Sequence, residues 1–147
     1  MDIKKLAEKA RAFNANIGLY EAEAIKKSEK LLVELNRSQL LRSKDNKDKS
    51  LKNSITGSTK LSPAYAKRTG KSTPNLWIDG TFQGEMFLDT NENNQAWFID
   101  SFWDKTKYLV EMYSESIFGI APSNKDKAIN EASRHLIELE RKNVLNS

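Results

Sequence analysis

The chain has 147 residues, 38% hydrophobic and 30% charged, which fits one domain with a sizeable core and leaves no room for two substantial ones. With no cysteine and a single histidine, His135, it excludes disulfide staples, thiolate metal sites and cysteine nucleophiles, and gives no basis for a histidine zinc site or triad. The net charge of +4 combines unequal halves: residues 1–73 carry 17 basic and 8 acidic side chains, residues 74–147 carry 7 and 12. That split points to an anionic partner for one half, or to association between the halves.

No apolar run is long enough to span a membrane, and the opening MDIKKLAEKA lacks the apolar stretch of a signal peptide. A soluble protein made in the cytoplasm is therefore expected. Along the first forty residues, Leu6, Phe13, Ile17, Tyr20, Ala24, Leu31 and Leu35 recur at helical spacing, and Ile25 and Leu32 widen the stripe. This predicts a long amphipathic helix ending after Leu41, with Asn14, Asn16 and Gly18 as weak points where it can kink or break.

Residues 43–60 hold five lysines and two aspartates among Ser, Asn and Thr, with only Leu51 and Ile55 as apolar anchors. Such a stretch buries too little to offset its backbone entropy, so a flexible lysine-rich loop is expected. Ser62-Pro63 is a helix-start signal, and Gly70 with the pre-proline Thr73 ends that short helix. Leu76–Ile78 reads as a short strand and Asp79-Gly80 as a turn. Met86–Thr90 and Gln95–Asp100 read as the strands of a hairpin turning through NENN. A short helix over about 104–113 follows.

Pro122-Ser123 opens a last helix, with Ser123 and Asp126 spaced as a capping box. Ile129, Ala132, Leu136 and Leu139 are its expected buried stripe. The sum is α+β in one domain, 1–147: a long N-terminal helix, a small antiparallel sheet with a central hairpin, and a C-terminal helix.

Chemistry-bearing constellations are few. TGKST, Thr69–Thr73, contains Gly-Lys-Ser, but a phosphate loop needs a glycine where Tyr65 stands and a strand leading in where a helix is predicted. Asp79, Glu85, Asp89, Asp100 and Asp104 sit at turns and strand ends and read as solvated carboxylates. His135, beside Arg134, reads as a helix-surface residue. No cofactor, metal or catalytic set is expected.

Two surfaces remain. Lys44, Lys47, Lys49, Lys52, Lys60, Lys67, Arg68 and Lys71 form a basic run that suits nonspecific phosphate contact, with only Tyr65 available to stack on a base. Trp77, Trp97, Phe98, Phe102 and Trp103 concentrate the aromatic surface. Trp97 and Phe98 must point to opposite faces of a strand, so one face offers large apolar groups to a subunit interface.

The order of signals from 61 to 142 resembles the virion-morphogenesis or tail-completion proteins of tailed bacteriophages. The matching pieces are LSPAYAKRTGKSTPNLWIDGTF (Leu61–Phe82), the hairpin EMFLDTNENNQAWFID, IFGI (Ile117–Ile120) and the helix SNKDKAINEASRHLIELERK. Where that family usually has Thr-Gly after its P-x-L segment, this chain has Asp79-Gly80. The resemblance implies a non-enzymatic, ring-forming virion component of the head–tail connector, neck or tail terminus. Its partners would be copies of itself and portal, neck or tail proteins, and its basic loop would face DNA or a neighbouring ring. The alternative is a small basic nucleic-acid-binding protein using the 37–71 segment.

Overall fold

The computed structural model describes residues 2–77, 79–91 and 96–145. The N-terminal stripe is carried by three consecutive helices, α1 (Ile3–Ala15), α2 (Ile17–Lys27) and α3 (Glu29–Leu41). Asp2 caps α1, its carboxylate accepting the Lys4 N–H at 3.0 Å. The first break falls at Asn16, one of the weak points expected from sequence. Its backbone leaves the helical region, and its side-chain amide bonds back to the Ala12 carbonyl at 2.9 Å. The second break is at Ser28, which the apolar spacing does not reveal. The buried hydroxyl donates to the Ala24 carbonyl at 2.8 Å, a back-bond that bends a helix by competing with its own ladder.

Two further helices precede the sheet: α4 (Pro63–Thr69) and the single turn α5 (Thr81–Gly84). Helix α4 begins and ends on its predicted signals. Ser62 Oγ accepts the Tyr65 N–H at 3.3 Å, Pro63 stands at the first position, and Gly70 closes the helix at φ +73°. Instead of a strand at 76–78, Leu76 takes a left-handed φ of +60°, which breaks an extended run; Ile78 lies outside the described residues. The Asp79-Gly80 turn feeds α5, with the Asp79 carboxylate accepting the Thr81 N–H at 2.9 Å.

Strands β1 (Met86–Asn91) and β2 (Ala96–Ser101) pair antiparallel with Met86 opposite Ser101 and Leu88 opposite Ile99. The predicted turn, NENN at 91–94, lies from 92 onward outside the described residues. Helix α6 (Thr106–Tyr113), 3₁₀ turns at Glu115–Ile117 and Pro122–Asn124, α7 (Lys125–Glu140) and a π-helical turn, Arg141–Leu145, follow. The fold is α+β.

The capping box expected at the start of α7 is not formed. Asn124 is the N-cap residue and makes no side-chain cap bond. Ser123 is engaged elsewhere, by Asp48. Ile129 is also not part of the buried stripe: it is 49% exposed, and Ala128 beside it packs against the core.

Apolar burial, the main driving force, is divided between two clusters. The larger joins Leu32, Val33 and Leu40 of α3 to Leu88, Ile99, Phe82 and Ile117. The smaller joins Phe13, Ala24, Leu139 and Val144, so α1, α2, α7 and the terminal turn form a helical core of their own. Segment 43–60 has almost no regular structure, but it is tethered. Leu51 is buried in the larger cluster, the Asn46 amide donates to the Phe118 carbonyl at 2.9 Å, and Ser54 Oγ donates to the Met112 carbonyl at 2.7 Å.

Candidate functional site

The hairpin sorts its aromatic residues by parity. On β2, Ile99 and Ser101 are buried and Trp97 packs against the larger core, while Phe98 is 48% exposed on the opposite face. That alternation is the strand period of two. Trp103, just past the strand, also turns to the core, 6.1 Å from the Phe82 ring centre. Phe102 turns outward and is 73% exposed.

The outward side gains a member that the sequence reading missed. Phe87 stacks on Phe102 with ring centres 4.0 Å apart and planes 14° apart, and meets Phe98 edge-on at 6.4 Å. Phe87 stands opposite Asp100 in the register, diagonal to Phe98, a distance aromatic side chains bridge. The signal was present in the alternation of β1, where Met86 and Leu88 are buried and Phe87 lies between them. Of the five aromatic interface candidates, the structure brings together Phe98 and Phe102, joins Phe87 to them, and turns Trp97 and Trp103 inward, to the opposite side.

Trp77 lies elsewhere. It is 43% exposed and lines a cavity of about 420 Å³ with Tyr65, Lys71, Leu109 and Tyr113. Its ring lies over Gly80, whose φ is +87°, and an added Cβ there would come within 2.7 Å of the indole. Lys71 Nζ donates to the Trp77 carbonyl at 3.1 Å. In the Gly70-Lys71-Ser72 string, then, the glycine is a helix C-cap and the lysine holds a loop.

The basic residues occupy two stretches. Lys44, Lys47, Lys49 and Lys52 lie on the loop beside 115–123. There Asp45 Oδ1 accepts the backbone N–H groups of Lys47 and Lys49 at 2.8 and 2.9 Å. Lys60, Lys67, Arg68 and Lys71 lie on and around α4, with the Arg68 guanidinium 5.2 Å from the Tyr65 ring centre. His135 is half-buried on α7, its Nε2 3.1 Å from Glu131, which also pairs with Arg134 at 2.7 Å. Among the described residues, no group of three or more His, Asp or Glu is placed to hold a metal ion, and no helix is long and apolar enough to cross a membrane.

One tether titrates. Asp48 accepts Ser123 Oγ at 2.6 Å and the Ser123 N–H at 2.8 Å. These bonds, with Arg42 and Lys44 nearby, hold its carboxyl below the usual aspartate range. A carboxyl lowered in the folded state contributes stability in full above its unfolded pKa of about 3.9. That contribution disappears as pH falls through the folded pKa. Thermal midpoints of the wild type and Asp48→Asn, measured against pH, are expected to differ near neutrality and to converge below about pH 4. A gap that persists unchanged in acid would mean the tether does not depend on the carboxylate charge.

Comparison with protein-family models, curated proteins and solved structures found no match in any of the three. The molecule is thus defined by its own architecture: an α+β domain whose small hairpin shows aromatic rings on its outer face.

Proposed function

We propose that the protein is a structural component of a tailed-phage particle, a head–tail connector, neck or tail-terminus ring, that works by oligomeric packing rather than catalysis. The observation that carries this reading is the stacked outward set Phe87, Phe98 and Phe102. Rings stacked on one another at the surface leave apolar area whose burial against another subunit is favourable. The ordered motifs from Leu61 to Ile120 supply the particular class. Opposite charge on the two halves of the chain suits the head-to-tail contacts of a ring, in which unlike patches meet and charge fixes the register.

The test is the size of the purified chain across concentration and salt, alone and with portal or tail components. Concentration-dependent rings are expected. A strict monomer under every condition, with no ring on adding those components, overturns the proposal. So does tight, salt-sensitive DNA binding that is lost on neutralising Lys47, Lys49 and Lys52 while the protein never assembles.

A further inference from the structure

The two edges of the hairpin are not equivalent. On β1, the Leu88 N–H donates to Glu29 Oε2 at 2.8 Å, and its carbonyl accepts Lys26 Nζ. Leu88 therefore turns its backbone groups away from β2, and its pairing with Ile99 is a wide pair with no bonds between them. In an antiparallel ladder such pairs alternate with bonded ones. The bond from the Phe102 N–H to the Glu85 carbonyl, 3.1 Å, has the same phase. It follows that Trp97, Ile99 and Ser101 point their backbone groups away from β1.

At Leu88 the outer edge of β1 is thus closed by two side chains from the α2–α3 junction. On β2, the Ser101 N–H is taken by Asp100 Oδ1 at 2.8 Å. Among the described residues, nothing bonds the outward N–H and C=O groups of Trp97 and Ile99. Ile99 is only 4% exposed, and unpaired backbone groups at such a position cost free energy until a partner or water meets them.

A groove of about 920 Å³ runs along this edge. Its far wall carries Val110, Phe118 and Ile120. That wall is held in place from behind: Asn36 bonds the Ile117 carbonyl and the Gly119 N–H, and Gln39 bonds the Gly119 carbonyl and the Ala121 N–H, all at 2.8–2.9 Å. Asn46 borders the same groove, and its Oδ1 is buried with no partner. The groove therefore presents backbone donors and acceptors on one side and apolar side chains opposite, all already positioned.

We infer that this edge docks an extended segment of a different polypeptide, which joins the hairpin as a third strand along β2. Outward groups two residues apart on a strand are about 7 Å from each other, a spacing that another extended backbone matches in register. Alternate side chains of the segment would face Val110, Phe118 and Ile120 and should be apolar. The others would lie beside Phe98 and Asp100. With Asp100 and Glu115 on the groove against Lys47 alone, those positions favour lysine or arginine. A second copy does not fit edge to edge, because it would bring its own 114–120 wall into the same space. The docked strand does not require ring formation, although its outward side chains border Phe98 of the aromatic face.

The test uses the full chain, dilute, with backbone amides followed by NMR hydrogen exchange. The probe is a short synthetic peptide alternating valine with threonine and lysine, and the control is its analogue with proline at alternate positions. With the probe at about ten times its Kd, exchange at Trp97 and Ile99 should slow about tenfold; no slowing at millimolar peptide overturns the inference. Equal protection by the proline analogue, or protection that appears on concentrating the protein without peptide, overturns the inference; the second result would assign the edge to self-association.

Discussion

Replacing Gln39 with alanine is expected to lower the unfolding free energy by about 3 kcal/mol or more, and the thermal midpoint by roughly 10 °C. The side chain is buried on α3, and its amide does three things at once. Nε2 donates to the Gly119 carbonyl at 2.9 Å, while Oε1 accepts the Ala121 N–H at 2.8 Å and Asn124 Nδ2 at 2.9 Å. Truncation leaves the buried Ala121 N–H and Asn124 amide and the part-buried Gly119 carbonyl without this partner, at about 1–3 kcal/mol for each buried group, and adds a cavity. Chemical denaturation measures the loss, and amide exchange at Ala121 locates it. A loss below about 1 kcal/mol would mean that water enters and replaces the amide.

The second large effect concerns association. In the proposed assembly, the double variant Phe98→Ser and Phe102→Ser should weaken self-association at least about a hundredfold, since central aromatic residues at interfaces are each worth about 2 kcal/mol or more. Stability of the isolated chain should change much less, because Phe102 is 73% and Phe98 48% exposed and neither belongs to the core. Sedimentation across concentration reads the first effect and urea denaturation the second. Unchanged association with unchanged stability would remove the aromatic face from the interface. By contrast, Trp97→Ser and Trp103→Ser should lower stability, as both rings pack against the core.

That contrast marks what sequence can and cannot reveal here. The hairpin, helix α4 and its caps, and the helix over Thr106–Tyr113 were legible because their signals are local: alternation, Ser-Pro, Gly at a helix end. The division of the aromatic residues was half legible. Parity alone separates Trp97 from Phe98, but which parity faces inward depends on what covers the sheet. Phe87 joins Phe98 and Phe102 only once the strand register is known.

Long-range polar contacts were not legible at all. Asn36 and Gln39 lie outside the apolar stripe read from the sequence, yet both are buried because the chain returns some 80 residues later to bond them. Ser123 has the spacing of a capping box, but its hydroxyl finds Asp48 from a loop 75 residues earlier, and a local pattern cannot anticipate that competition. The bend at Ser28 likewise follows from a hydroxyl that bonds its own helix. The stripe on α7 misled at Ile129 because the contact with the larger core is made through the small neighbouring Ala128, which hydrophobicity alone ranks lower.

The two-core arrangement has a mechanical consequence. Helix α1 leans on the π-helical turn Arg141–Leu145 and, through Phe13, on Leu139 and Val144, so the first and last helical stretches hold each other rather than the hairpin. Loosening either should release both as one cooperative unit and leave the larger cluster standing. The chain path is in effect a loop fastened near its two ends. A load applied at one end passes to the other through that fastening before it reaches the sheet, which lets the hairpin keep its shape while the helical end gives way.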